Sequence, residues 1–191
     1  MTANLDEINR LLSNINREVW VITAAANGQR GGLTATWVST ASIDRNRPVL
    51  LAGLAPNHFT AELVQRSGRL VAHLLHERQV ELAWNFARDS GRSRDKLFGL
   101  KVAESTVEAP ILAECLAWFE CQVFHWQDAG DRLFFWADIL RAGEGLAGAP
   151  LREQTWIQSL TIEQRQHLAA GRQADLDLQR PLLDRWRRLV N

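Results

Sequence analysis

The sequence predicts an α+β protein that is mainly β: an antiparallel barrel of six or seven strands, with helices packed outside it and a helical extension at the C-terminus. Two observations predict this fold. Apolar or alternating segments bounded by turn residues occur early, over residues 19–54, and late, over 114–142, as strands joined by hairpins do. Segments with helical spacing of apolar residues lie between and after these strands.

The elements follow in order from local patterns. Apolar residues from Leu5 to Ile15 recur at helical spacing and predict an amphipathic helix over residues 3–16, which would cap a barrel end or contact a partner subunit. A strand over 19–26 should end in a hairpin loop that contains Asn27-Gly28 and Gly31-Gly32. The next elements are strands within 31–42 and over 49–54, a helix over 58–67, a strand over 69–75, a helix over 77–88, a basic loop over 90–94, a helical turn over 95–100, strands over 114–127 and 133–142, and a small-residue loop over 143–150.

The C-terminal segment changes character. Thr161 with Gln164 matches a capping box and predicts a helix that runs to about Leu176. Pro181 is placed to occupy the first position of a second helix, over 181–190. We therefore predict two parts: a barrel domain over residues 1–151, which includes the N-terminal helix, and a C-terminal helical extension over 152–191.

Composition excludes several classes of protein. The 22 basic and 22 acidic residues cancel, and no basic block precedes the last predicted helix, which argues against a nucleic-acid or membrane-surface binder. The N-terminus lacks the apolar core of a signal peptide, and no apolar run approaches the ~20 residues that a membrane span requires. Cys115 and Cys121 should lie in one strand, roughly 20 Å apart, as free thiols. These features predict a cytoplasmic protein.

The segment from Gly31 to Thr60 carries the most distinctive chemistry. It reads as strand, turn, strand, polar loop and helix start, which would bring backbone N–H groups, hydroxyls and a positive helix end close together. This arrangement suits a ligand with a phosphate and a flat, amide-bearing ring. An ordinary hairpin with its connector remains an equally good interpretation of the local pattern.

Five motifs occur in a fixed order between residues 18 and 151. They are GLTATWVSTAS at 32–42, PVLL at 48–51, NHFT at 57–60, SGRSRDKL at 90–97 and GDRLFF at 130–135. In this order they resemble the motifs of the flavin reductase-like family of FMN-binding split barrels. The resemblance implies a split β-barrel that forms a homodimer, with FMN near the subunit interface.

The family resemblance also implies a function. The first expectation is an NAD(P)H-dependent FMN reductase (EC 1.5.1 type), in which hydride passes from NADH or NADPH to FMN without a covalent catalytic residue. Reduced flavin would then serve an oxygenase or an electron-acceptor protein. The alternative is an FMN-binding electron-transfer protein with little NAD(P)H turnover. It would be similar to flavoredoxins or to the reductase module of flavodiiron proteins, whose A-S-W-V-S strand the segment 35–39 resembles.

The resemblance assigns candidate flavin-binding residues. The phosphate would be held by donors at a helix start and by a basic loop, at Asn57, His58, Phe59, Thr60, Ser90, Arg92 and Lys96. The ring would lie along a small-residue strand and its neighbour, at Thr34, Thr36, Trp37, Val38, Ser39, Thr40 and Gly53. Three alternatives stay open: plain helix capping for Asn57 and Thr60, a solvated turn for the basic loop, and barrel core for Trp37.

Two features limit these inferences. Arg132 stands where the family's G-D-H hairpin often has histidine, and its permanent charge could favour a phosphorylated dinucleotide or mark a chain with slow NAD(P)H turnover. His73 and His76 resemble a metal cluster only in sequence, because residues three apart on a strand face opposite sides and no third ligand is evident. We therefore predict neither a metal site nor a catalytic side chain.

Overall fold

The structure, a computed structural model, describes residues 4–190 as a curled sheet surrounded by helices. In chain order the elements are α1 (Leu5–Leu12), β1 (Trp20–Ala26), β2 (Gln29–Ala35), β3 (Val38–Thr40), β4 (Val49–Leu54), α2 (Phe59–Ser67), β5 (Arg69–Leu74), α3 (Val80–Ala87), β6 (Val102–Ala103), β7 (Ile111–Leu112), β8 (Ala117–Asp128), β9 (Leu133–Glu144), α4 (Glu153–Ser159) and α5 (Ile162–Val190).

Seven strands form one antiparallel sheet in the order β2-β1-β5-β8-β9-β4-β3. The edge strands β2 and β3 are joined by only Thr36 and Trp37, so the sheet must curl until its two edges meet. This curled antiparallel sheet confirms the predicted fold class, with β2 and β3 as edge strands that each pair with one neighbour. The strands β6 and β7, which the sequence did not predict, form a separate two-stranded sheet.

Strand β1 is buried on both of its faces. Ile22 packs inside the barrel with Leu54 and Phe135, whereas its neighbour Val21 packs outside with Phe86 and other residues of a second apolar cluster. Successive side chains of a strand point to opposite faces, and both faces of β1 are covered. Side chains on both faces are therefore buried, which explains why β1 is almost entirely apolar. The helices α2 and α3 contact this part of the sheet and so hold the segments that follow β2 and β4.

His73 is a buried structural residue of β5. Its Nδ1 lies 3.0 Å from the carbonyl oxygen of Val21, and its Nε2 accepts the Leu112 N–H at 3.0 Å. The ring is therefore neutral, with the proton on Nδ1, and both of its nitrogen atoms are occupied by backbone groups. Burial lowers the pKa of His73 to about 4, against a weaker opposing effect of the Val21 hydrogen bond.

We expect this burial to make the fold sensitive to acid. An unfolded chain binds a proton at His73 below about pH 6.5, whereas the folded chain does so only near pH 4, so stability falls as pH decreases between these values. The expected loss is about 3 kcal/mol, at 1.36 kcal/mol for each pKa unit. Urea denaturation from pH 7 to 4 measures it, and the dependence should be weaker in His73→Gln. An NMR titration of wild type in which His73 has a pKa near 6.5 would contradict the prediction.

Some predicted boundaries were wrong. Gly31 and Gly32 lie within β2, and the hairpin turn is only Asn27-Gly28, both at positive φ. Gly32 is required by close packing, since a Cβ there would overlap the ring of Phe86. The two cysteines do not share a strand: Cys115 precedes β8 and Cys121 lies within it. Both are buried free thiols, whose pKa values burial raises to about 11 and 12 respectively.

The C-terminal helices also differ from the prediction. The capping box is confirmed, because the Thr161 and Gln164 side chains each accept the other's backbone N–H. Instead of two helices, however, residues 162–190 form the single helix α5, with Pro181 inside it. No turn signal directly precedes Pro181, and the nearest glycine before it, Gly171, lies ten residues away inside the helix, so the proline removes one hydrogen bond without ending the helix. The short helix α4 was not predicted, and it buries Trp156 in the second apolar cluster.

The N-terminal helix α1 is shorter than predicted, and residue 3 lies outside the described residues. Its apolar side chains are exposed, with Leu5 at 69% and Leu12 at 54%, so it caps no barrel end within this chain. Among residues 4–190, no helix combines the length and the hydropathy that crossing a bilayer requires.

Candidate functional site

A cavity of about 880 Å³ lies between the barrel and α5. The barrel contributes the end of β2 and the start of α2, and the opposite wall is formed by α4 and α5. This volume falls within the roughly 300–1,000 Å³ of small-molecule and cofactor sites. Most of the residues that the sequence singled out line it: Thr34, Thr36, Trp37, Asn57, His58, Phe59, Thr60, Ser90 and Lys96.

The remaining predicted residues lie elsewhere. Val38 is buried in the barrel core, and Ser39 and Thr40 of β3 are exposed away from the cavity. Gly53 lies behind the wall, where its N–H donates to the Trp37 carbonyl at 2.8 Å and a Cβ would approach the Trp37 and Phe134 rings. Strand β3 begins at residue 38, so the chain turns away from the cavity after Trp37.

The start of α2 faces the cavity without a capping side chain. His58 is the N-cap residue, and its side chain makes no capping hydrogen bond to the helix. The capping interpretation of Asn57 and Thr60 is therefore wrong: Asn57 is turned toward α5, and Thr60 is a buried residue of the first turn. The first-turn N–H groups of an uncapped helix, together with the helix dipole, favour an anion.

Lys96 is a buried cation on the cavity wall. Its Nζ donates to the Phe86 carbonyl at 2.7 Å, and the residue is 6% exposed. Burial lowers the pKa of Lys96 to about 8. Arg94 contributes in the same direction, whereas Asp89 opposes the shift. A phosphate nearby would offset this desolvation and restore the charge.

Arg92 does not enter this cavity. It forms an ion pair with Glu62, donates to the Asn57 carbonyl at 3.1 Å and lies over the Phe59 ring at 5.3 Å. It lines a smaller, adjacent cavity of about 310 Å³. Glu62 already neutralises the Arg92 charge, so in this structure Arg92 supports the loop that carries Asn57 from outside the main cavity.

Trp37 forms part of the cavity wall and not of the barrel core. The residue is 41% exposed, and its ring stacks on Phe134 with the centroids 6.3 Å apart. The guanidinium of Arg132 lies 4.8 Å from the Trp37 ring centroid. Burial lowers the pKa of Arg132, and the nearby Asp131 and Asp175 oppose that shift. The next cavity residue, Thr34, already donates its hydroxyl to the Ala83 carbonyl at 2.7 Å.

The sequence analysis missed the contribution of α5. Asp175 accepts Asn57 Nδ2 at 2.7 Å and lies 2.9 Å from His58 Nε2, and this histidine contact, with the Asn57 bond, lowers the pKa of Asp175. Gln179, which is 4% exposed, donates to Asn57 Oδ1 at 2.9 Å and accepts from Arg132 Nη1 at 2.7 Å. These bonds tie α5 to the start of α2 and to the β8–β9 hairpin.

A signal for this face was present. Five of the nine α5 residues that line the cavity recur at steps of three and four, at Arg165, Leu168, Arg172, Asp175 and Gln179. This spacing places them on one face of a helix. Four of these five residues are polar, so hydrophobic periodicity alone did not identify them.

Residues 12–153 match the family described as "Flavin reductase like domain". The chain belongs to this family. The match covers the barrel and ends at the start of α4, so α5 lies outside it.

Curated relatives align with the same region. Diflavin flavoprotein A 1 of Synechocystis is 25% identical over 70% of this chain and 23% of its own length. A Rhizobium meliloti protein named "Probable flavin reductase" is 31% identical over 60% of this chain and 36% of its own. The chain thus spans about a quarter of the length of the diflavin flavoproteins it matches.

Solved structures of the same fold include proteins with different names. A flavoredoxin from Methanosarcina acetivorans superposes with a TM-score of 0.64 at 24% identity, over 71% of this chain and 74% of that one. An NADH:FAD oxidoreductase from Streptomyces globisporus gives 0.69 at 18%, over 78% and 87% respectively. A flavin reductase domain protein from Arthrobacter gives 0.69 at 21%, over 78% and 89%. At these identities the likeness shows the fold alone.

The residues present fit a flavin mononucleotide. The uncapped start of α2 and Lys96 supply the N–H donors and the cation that a phosphate requires. Thr36 and Trp37 supply a partly exposed wall beside which a ring can lie, although the guanidinium groups of Arg132 and Arg17 lie 4.8 and 5.9 Å from the Trp37 ring centroid. The phosphate-binding groups and this wall line the same cavity.

Proposed function

We propose that this chain is an NAD(P)H-dependent flavin reductase of EC 1.5.1 type. The observation that carries the proposal is the cavity in which an uncapped helix start, a buried lysine and an exposed tryptophan meet. Membership of the flavin reductase-like family supports the same chemistry. FMN, when bound, supplies the N5 acceptor for a hydride from NADH or NADPH.

The protein's own residues would bind and orient the reactants. Lys96 and the first turn of α2 would hold the phosphate, and Trp37 with Thr36 would support the ring. The wall formed by α5 would restrict water at the reacting face. No side chain needs to form a covalent bond, because correct positioning of the nicotinamide against the flavin provides most of the catalysis.

We further propose that the chain functions as a cytoplasmic homodimer that delivers reduced flavin or electrons to an oxygenase or another acceptor protein. The exposed apolar side chains of α1, and Phe124 and Trp126 on β8, are surfaces that a partner subunit could cover. Sedimentation velocity would test the dimer directly: a monomer at micromolar concentration would contradict it.

An electron-transfer protein of flavoredoxin type is the second candidate. The hydrogen bond from Arg132 to Gln179 holds the Arg132 guanidinium over the Trp37 ring. This guanidinium reduces the space through which a nicotinamide can approach Trp37. The relatedness to diflavin flavoproteins supports the same interpretation, since in them the matching region is only one part of a larger chain.

Anaerobic absorption spectroscopy separates the two candidates. Purified protein is mixed with FMN and then with NADPH or NADH, and FMN without protein is the control. A reductase should shift the flavin bands on binding and bleach them rapidly with at least one nucleotide. Bound flavin that bleaches only with dithionite would overturn the reductase in favour of electron transfer, and absence of FMN binding would contradict both.

A further inference from the structure

The cavity has further cations on α5, an element different from those that carry the groups assigned to the flavin phosphate. Arg165 and Arg172 both line the cavity, on the wall opposite the start of α2. They are seven residues apart, which is about two turns and about 10 Å of helix. They therefore lie on one face of α5, with Leu168 between them.

Both guanidinium groups remain available for a ligand. Within residues 4–190, the side chains of Arg165 and Arg172 take part in no hydrogen bond or ion pair, and both are exposed. Four acidic residues line the same cavity, and all but Asp131 contact a histidine or an arginine. Asp175 contacts His58 at 2.9 Å, Asp89 lies 3.5 Å from His167, and Glu153 lies 3.5 Å from Arg17.

The two arginines lie at different ends of the α5 wall. Arg172 lies two turns before Gln179, which accepts from Arg132 Nη1 at 2.7 Å, and Arg132 in turn lies over Trp37. Arg165 is two turns closer to the start of α5, toward the His167 and Asp89 contact. A ligand whose reactive ring lies near Trp37 and which extends along α5 would pass Arg172 first and Arg165 second.

We propose that Arg165 and Arg172 form the phosphate subsite for the dinucleotide co-substrate. Arg172 binds the diphosphate, and Arg165 binds the 2′-phosphate that distinguishes NADPH from NADH. Two fixed guanidinium groups suit phosphate oxygens, since each presents several N–H donors in a plane. The inference rests on the proposed reductase function and makes α5 the element that selects the nucleotide.

Equilibrium binding to the protein without flavin provides the test. Isothermal titration calorimetry would compare adenosine 2′,5′-bisphosphate with 5′-AMP, which differ only in the 2′-phosphate, and NADP⁺ with NAD⁺. The variants are Arg165→Gln and Arg172→Gln, each of which removes one charge. Arg187→Gln is the matched control, because Arg187 is an exposed residue of the last turn of α5 outside the cavity.

Wild type should bind the bisphosphate at least about tenfold more tightly than 5′-AMP, the scale of one charge-assisted contact. Arg165→Gln should abolish this preference and leave NAD⁺ affinity unchanged, whereas Arg172→Gln should weaken NAD⁺ and NADP⁺ by similar factors. Arg187→Gln should change neither. A preference that survives in Arg165→Gln, or its absence in wild type, would overturn the proposal.

Two further outcomes separate this inference from the proposed function. Arginine-dependent binding of the bisphosphate in a protein that transfers no hydride would preserve the subsite and overturn the reductase. Rapid flavin reduction that neither variant affects would overturn the subsite and preserve the reductase. A parallel FMN titration completes the test: if Arg165→Gln or Arg172→Gln weakens FMN binding instead, the arginines belong to the flavin phosphate and the proposal is wrong.

Discussion

Replacing Lys96 by methionine is expected to weaken FMN binding by roughly 10- to 100-fold, the equivalent of one charge-assisted hydrogen bond. Methionine preserves the aliphatic packing of the lysine stem but removes the buried ammonium of a residue that lines the cavity. The phosphate would then retain only the N–H groups of α2. Fluorescence titration of FMN at pH 7 measures the loss, and urea denaturation would verify that the variant is folded.

The pH dependence of FMN affinity provides an independent measurement of the same contact. The pKa of Lys96 is lowered to about 8, so the protein without ligand loses this charge as pH rises above that value. Wild-type affinity should therefore decrease between pH 8 and 10, while that of Lys96→Met should stay nearly constant. Fold stability should respond in the opposite sense, because between about pH 8 and 10.5 the unfolded chain binds more protons and raising the pH favours the folded state.

The chain offers a matched control. Lys101 is its only other lysine, and the side chain is 86% exposed, with an Nζ that lies 3.7 Å from Glu114. Lys101→Met makes the same chemical change away from the cavity and should leave FMN affinity within about twofold of wild type. Equal affinity of Lys96→Met and Lys101→Met would place the phosphate elsewhere, with the Arg92 cavity as the next candidate.

The barrel and one wall of the site were predictable because their signals are local. Alternation and turn residues identified β1, β4, β8 and β9, and Gly68 ends α2 with φ of +66° as a left-handed cap should. The glycine and threonine pattern of β2, with the Asn57 to Thr60 segment, identified one wall of the cavity. These features depend on neighbours within a few residues along the chain, which a sequence displays directly.

The second wall was not predictable, because its contacts join residues far apart in sequence. Asn57 and Asp175 are 118 residues apart, and Arg132 and Gln179 are 47 apart. The family match ends before α5, so no motif could indicate where that helix packs. Similarly, Val38, Ser39 and Thr40 belong to the resembling strand, but the chain leaves the cavity at Trp37, a change of direction that strand periodicity does not encode.

Gly130→Ala is expected to release α5 from the cavity. Gly130 has φ of +85°, and a Cβ at this position would lie 2.6 Å from the Cα of Leu183, a backbone atom that cannot move without the helix. Displacement of α5 should break the bond between Gln179 and Arg132. Overpacking of about 1–3 kcal/mol would increase local opening by roughly 5- to 150-fold. Hydrogen exchange of the amides from 175 to 183 measures this directly.

Gly28→Ala is the control that separates the steric clash of an added Cβ from the cost of a left-handed backbone. Gly28 has a similar φ of +75°, but a Cβ there meets nothing within 4 Å, so its substitution carries only the cost of the left-handed backbone. If α5 docks as described, Gly130→Ala alone should accelerate exchange in α5 and weaken binding of NADP⁺. Equal protection of α5 in both variants would mean that the helix does not pack on the β8–β9 hairpin in solution. The nucleotide-selecting role of α5 would then fail while the barrel wall of the flavin site remained intact, because Lys96, Trp37 and the start of α2 belong to other elements.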